Sequence, residues 1–203
     1  MAELPLTPEN IEAAKENLEH ICARTTYSVM YSDDDSFKLS GFSKAFVHID
    51  DDVENEVVIA EARIFSFLYG YVSDQALFFM GDEESGELMN LVIAINHMRD
   101  INSRFFDEDI DCHMRGFLVE QFRVAKPFRG LGIGRTAARK MLVSAGAPGH
   151  PVFAEPGVIG DDGPGLEVVD RFWMKLEPDM RIYDNKESSL RILYSPEFPT
   201  DLG

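Results

Sequence analysis

Cysteine is scarce in this 203-residue sequence, basic residues are outnumbered, tryptophan occurs once, and no long apolar run exists. The two cysteines, Cys22 and Cys112, stand far apart without paired spacing. That excludes a disulfide or zinc framework and fits a reducing cytoplasm. The five histidines show no ligand spacing, so no metal site is expected. Lys and Arg number 19 against 36 Asp and Glu, a net charge of −17. Such a surface repels nucleic-acid backbones and anionic membranes, so neither is expected as a partner. The most apolar region, Val57 to Met80, is broken by Glu61, Arg63 and Asp74 and cannot serve as a membrane span. The N-terminal residues lack the basic start and apolar run of a signal peptide, and a soluble, cytoplasmic protein is expected.

What is present suffices for a core. Hydrophobic residues make up 45% and aromatics 11% of a chain long enough for one domain. With no repeat, linker or low-complexity tract, residues 1–203 are expected to form a single domain. Residues 1–40 are expected to be a helical, acidic extension packed on it. Thr7 as N-cap and Pro8 at the first helical position open a helix. Its buried stripe, Ile11, Ala14, Leu18 and Ile21, reaches about Cys22, which is read as core filling. Alternation over Lys44–Asp50 and an extended run over Val57–Tyr71 predict a hairpin. The stripe Leu88, Leu91, Val92, Ile95 predicts a helix over Ser85–Met98, and Asp107–Asp111 an exposed loop. The back half reads as a strand over Gly116–Val124, a helix over Thr136–Ala145 stopped by Gly146 and Pro148, and a short buried strand over Pro151–Ala154. A helix over Leu166–Leu176 and strands near Met180–Tyr183 and Leu190–Tyr194 follow. The acidic clusters Asp33–Asp35, Asp50–Asp52, Asp82–Glu84 and Asp107–Asp111 are read as solvated loops, one or two of them drawing a cationic ligand to the site.

Chemistry concentrates between the Gly116–Val124 strand and the following helix, in Arg129-Gly130-Leu131-Gly132-Ile133-Gly134. Glycines at a strand-to-helix junction let the backbone turn tightly and offer N–H groups to a ligand, and the helix adds the positive end of its dipole. Together these suit phosphate oxygens. The charge map agrees. From Gln121 to Ala154 there is no Asp or Glu, whereas Arg123, Lys126, Arg129, Arg135, Arg139 and Lys140 all fall there. A basic island in an acidic protein, centred on a glycine loop, points to a polyanionic small ligand. The plainer reading is an ordinary turn before a solvated basic helix.

The run Val124-Ala125-Lys126-Pro127-Phe128-Arg129-Gly130-Leu131-Gly132-Ile133-Gly134 resembles the acetyl-coenzyme A loop of the GCN5-related N-acetyltransferases. Arg129, Gly132 and Gly134 fill that family's Arg/Gln-x-x-Gly-x-Gly/Ala pattern, and the stretch from Asp170 to Leu176 resembles its later helix more weakly. The resemblance covers roughly Gly116 to Tyr194 and implies an α/β fold with a mixed, mostly antiparallel sheet flanked by helices. It implies transfer of an acetyl group from acetyl-CoA to a primary amine. The amine is left open between a small metabolite, an antibiotic, a polyamine and a protein terminus, and family members are often homodimers. On that resemblance, Arg129, Gly130, Leu131, Gly132, Ile133, Gly134 and Arg135 hold the pyrophosphate, and main-chain groups of Phe122, Arg123 and Val124 pair with the pantetheine arm. Glu120 is the candidate base. The family's thiolate-protonating Tyr falls on Trp173, which leaves Tyr183 as the candidate acid, with Tyr194 near it in sequence.

Two other readings compete. Gly132-Ile133-Gly134-Arg135-Thr136-Ala137 satisfies a dinucleotide fingerprint, with Glu155 about 20 residues beyond it at a strand end. Too few residues follow for the usual double set of parallel strands. Trp173 in the tyrosine position motivates the other alternative, an acyl-CoA-binding module without turnover.

Overall fold

The computed structural model describes residues 2–31, 37–49, 52–68, 115–154, 165–185, 190–195 and 198–200. The helix expected over Ser85–Met98, the loop at Asp107–Asp111, Glu155 and most of the acidic clusters lie outside them.

Thr7 caps α1 (Pro8–Glu16) as expected, its Oγ1 accepting from the Asn10 N–H at 3.3 Å. The helix stops earlier than its apolar stripe suggests. Asn17 donates its side-chain amide to the Ala13 carbonyl at 2.9 Å, satisfying a C-terminal acceptor that would otherwise need a further turn. A 3₁₀ turn, Leu18–His20, then carries the chain into a strand. The stripe survives the change of helix type, since Ala14 and Ile21 are both buried. Cys22 is corrected: it begins a strand and is exposed, not core filling.

The strands are β1 (Ala2–Glu3), β2 (Cys22–Tyr31), β3 (Phe37–Ile49), β4 (Asp52–Leu68), β5 (Arg115–Val124), β6 (Val152–Ala154), β7 (Arg181–Asn185) and β8 (Leu190–Ser195). They form one sheet in the order β2-β3-β4-β5-β6-β8-β7, with β1 alongside β4. Pairings along that order are antiparallel except β5 with β6, and β1 lies parallel to β4. The helices α2 (Gly134–Ala145) and α3 (Leu166–Met174) complete a mixed, mostly antiparallel sheet flanked by helices, the expected class. Among the described residues of 1–40, the helical part is α1 and the 3₁₀ turn. β1 and β2 are strands of the sheet itself, β2 at its edge. The Thr-Thr-Tyr-Ser-Val run of β2 is rich in the β-branched and aromatic residues that suit a strand.

Small residues let α2 lie close on the sheet. Its buried face, Ala137, Ala138, Met141, Leu142 and Ala145, shares a core with Ala45, Ala60, Ala62 and Ile64 of the central hairpin and Phe117 and Val119 of β5. Gly41 is needed here, because a Cβ would stand 2.7 Å from the Tyr27 ring that covers it. Tyr27 spans this layer and donates its hydroxyl to the Ala145 carbonyl at 2.7 Å, tying the edge strand to the end of α2. Burial pushes its hydroxyl up to about 12 from an ordinary 10, against a weaker opposing effect of Arg115. A group that ionises less readily when folded stabilises fully below its unfolded value, and that contribution is lost as pH rises from about 10 through 12. Tyr27→Phe is therefore expected to cost about 1 kcal/mol at neutral pH and to flatten the alkaline fall in Tm. Thermal melts of both proteins across that window provide the check.

Candidate functional site

β5 carries the site's geometry. On one side it pairs with β4 along its whole length, from Leu68↔Arg115 to Ala60↔Val124. On the other it pairs with β6 only over Phe117–Val119. From Glu120 onward, among the described residues, that second edge is open. The change coincides with a β-bulge: Arg63 faces Gln121 and Ile64 faces Val119, so Glu120 is the extra residue. The Ala125 N–H donates to the Ile59 carbonyl, which fixes the phase of the ladder. Alternation then turns the main-chain N–H and C=O of Phe122 and Val124 away from β4, toward the open edge. The Val124 carbonyl receives Arg129 Nε at 2.9 Å.

Beyond β5 the chain makes a 3₁₀ turn, Lys126–Phe128, anchored by fully buried Phe128, and enters the glycine loop. Gly130 and Gly132 hold φ of 77° and 78°, a region that other residues occupy only under strain. A Cβ on either would meet nothing within 4 Å, so the space above both is open. The start of α2 has no side-chain cap and no acidic residue in its first turn. Ala137 is the first residue whose N–H finds a helical acceptor, the Ile133 carbonyl. Among the described residues, no N–H from Gly130 through Thr136 makes a well-aligned hydrogen bond to a main-chain carbonyl. Such a run, at the positive end of a helix, has the chemistry that suits an anion. Gly134 has a different duty. A Cβ there would come within 3.1 Å of Phe172, so its bareness admits α3 against the first turn of α2.

The six cations of this region are partly committed. Besides Arg129, Arg135 donates to the Lys175 carbonyl at 3.4 Å and Arg139 to the Leu176 carbonyl at 2.7 Å, fastening the end of α3 to α2. Carbonyls do not neutralise a guanidinium, so the island stays positive. Arg123, Lys126 and Lys140 are exposed around it.

Glu120 projects on the opposite side of the sheet from α2. Its side chain is only 4% exposed, and one oxygen stands 3.0 Å from Nη1 of Arg63. That contact lacks the alignment of a hydrogen bond, and the same oxygen has no hydrogen-bond donor. The Arg63 guanidinium lies over the Phe65 ring at 4.7 Å. Arg63 went unnoticed in the sequence, where it reads only as an interruption of an apolar run; the bulge that brings Glu120 to it has no local signature.

The other candidates divide. Trp173 is buried and packs edge-on to Phe122, 6.0 Å between ring centroids, while Phe172 stacks on Phe122 at 5.2 Å. These rings join α3 to the open half of β5. Tyr183 lies on β7 at the far edge of the sheet, three strand spacings from β5, about 14 Å between strand axes. It is not brought together with Glu120 or the loop. Tyr194, on β8, is buried against β6. The Gly132–Ala137 fingerprint sits on the expected strand–helix–strand unit, yet β4 and β8 flank it antiparallel, so the described strands form no doubly wound parallel sheet. Among the described residues, no group of three His, Cys, Asp or Glu could hold a metal, and no helix is long and apolar enough to cross a membrane.

No protein-family model matches the chain, and no curated protein matches it. Among solved structures it is similar to a mosquito arylalkylamine N-acetyltransferase like 5b, at 12% identity and a TM-score of 0.43, over 75% of this chain and 72% of that one.

Proposed function

We propose that the protein is an N-acetyltransferase of GCN5-related type, moving an acetyl group from acetyl-CoA to a primary amine. The observation that carries this reading is the run of N–H groups without a well-aligned main-chain acceptor, Gly130 through Thr136, beside the half-strand of β5 whose second edge, among the described residues, is open. Residues present fit the cofactor. The open space over Gly130 and Gly132 admits a diphosphate, and the outward groups of Phe122 and Val124 suit the amides of a pantetheine arm. Arg129 orders the loop through Val124 and leaves its main chain to the ligand. Bound acetyl-CoA supplies an activated acyl carbon: a C–N bond to the amine forms, the C–S bond breaks, and coenzyme A leaves as a thiol.

Glue between loop and acceptor is provided by the gap itself. The loop lies at the start of α2 and Glu120 faces the other side of the sheet, so donor and acceptor approach from opposite faces and meet where β5 loses β6. Glu120 takes the amine proton, directly or through one water, which passes on to solvent or to the departing sulfur. Among the described residues, Tyr183 and Tyr194 lie on strands beyond β6, and a thiolate with an ordinary pKa near 8.5 leaves without a tyrosine to protonate it.

Calorimetric titration with acetyl-CoA, coenzyme A and NAD(P), followed by thiol release with an amine panel, tests the reading. Binding of both CoA species with release for at least one amine is expected. Trp173, packed where the family carries its tyrosine, favours a second reading, an acyl-CoA-binding module; binding without release for any amine would support it.

A further inference from the structure

β6 is three residues long, and past its end β5 and β8 continue without it. Glu120–Val124 of β5 and Leu190–Ile192 of β8 stand two strand spacings apart there, about 10 Å. The last pairs of β6, Val119↔Ala154 and Ala154↔Leu193, close the end of this gap. On the helix side α3 underlies it, packing on β8 and, through Phe172 and Trp173, on Phe122 of β5. Phe172 belongs to the end nearer the glycine loop, where it covers Gly134. Trp173, the only tryptophan of the chain, stands edge-on to both phenylalanines, 5.2 Å from Phe172 and 6.0 Å from Phe122 between ring centroids. Only 4% of it is exposed, and it belongs to the main core. A floor packed in this way yields little to an added methylene.

A pantetheine arm lying along Val124 and Phe122 from the glycine loop brings its thioester toward the closed end. The acyl group there has paired strands ahead of it and the aromatic floor below. We infer that Trp173 sets the acyl length of the donor: the gap takes acetyl and propionyl groups and rejects longer chains, whose methylenes run into the indole. The inference rests on the reading that coenzyme A lies along β5. It does not need turnover, and holds equally for an enzyme and for a binding module.

The test is calorimetric titration of the full chain with coenzyme A and its acetyl, propionyl, butyryl and hexanoyl thioesters. Affinity is expected to fall at least about tenfold between acetyl-CoA and hexanoyl-CoA, the discrimination a packed apolar wall gives against added methylenes. Trp173→Ala should abolish that fall, raising the affinity for hexanoyl-CoA while that for free coenzyme A hardly changes. Phe172→Leu thins the same cluster at the loop end and should keep the wild-type profile. Equal affinities across the wild-type series would mean that the chain escapes on the Glu120 side, and overturn the inference. So would a Trp173→Ala defect that weakens every species alike, which is what a purely structural indole gives. Melting curves establish that the variant is folded; if it is not, the wild-type series and Trp173→Leu decide. The two proposals fail differently. No binding of any species removes acetyl transfer and this inference together, whereas tight binding that ignores chain length removes this inference alone.

Discussion

Gly132→Asp is expected to lower the affinity for coenzyme A by a factor of roughly a hundred or more, with the fold retained. The backbone at this position holds φ of 78° and the direction of a Cβ leads into open space, so the new side chain meets no protein atom. It meets the ligand's place instead. A carboxylate there accepts from the N–H groups that would hold the diphosphate, and repels what remains; each charge-assisted bond lost is worth about 1.5–3 kcal/mol. The cost to folding is the strain of a substituted residue in the left-handed region, of order 1–2 kcal/mol. Gly132→Ala carries that strain without the charge and is the control. A hundredfold loss for Asp with a much smaller loss for Ala, read by calorimetry beside Tm, is the expected pair. Equal losses would trace the effect to backbone conformation.

Glu120→Gln is expected to lower kcat about a hundredfold, within the usual contribution of a general base. Acetyl-CoA affinity should stay within about twofold, because the loop and Glu120 face opposite sides of the sheet. Glutamine keeps the shape of the bulge and can still receive the amine, but it cannot carry away a proton. It also leaves the Arg63 guanidinium without its buried counter-charge, so some loss of stability accompanies the change. The discriminating readout is pH: the dependence of kcat on an ionisable base should disappear in the variant while the residual rate rises with the fraction of neutral amine. An unchanged kcat would remove Glu120 from the reaction.

The back half was legible in the sequence because its signals are local. Gly116–Val124, the helix ending at Gly146, Pro151–Ala154 and the final strands all appear within a residue or two of expectation. Glycine spacing and the absence of acids between Gln121 and Ala154 located the loop for the same reason. What escaped depends on distant partners. The apolar stripe through Ile21 looks continuous whether the last turns are α or 3₁₀, so the early stop at Asn17 was hidden, and with it the start of β2. Gly134 fits the phosphate pattern by position, yet Phe172 of a later helix decides its use. Tyr183 is near Trp173 in sequence, but β8 and β6 intervene between its strand and β5. The Glu120–Arg63 contact needs a register shift that no neighbouring residue announces.

Amide chemical shifts report directly on which main-chain N–H groups meet the ligand. In ¹⁵N-labelled protein titrated with coenzyme A, the resonances of Gly130 through Thr136 should move most, with Phe122 and Val124 next. Saturable shifts confined to another part of the molecule, or none at all, would contradict the placement of coenzyme A on the glycine loop.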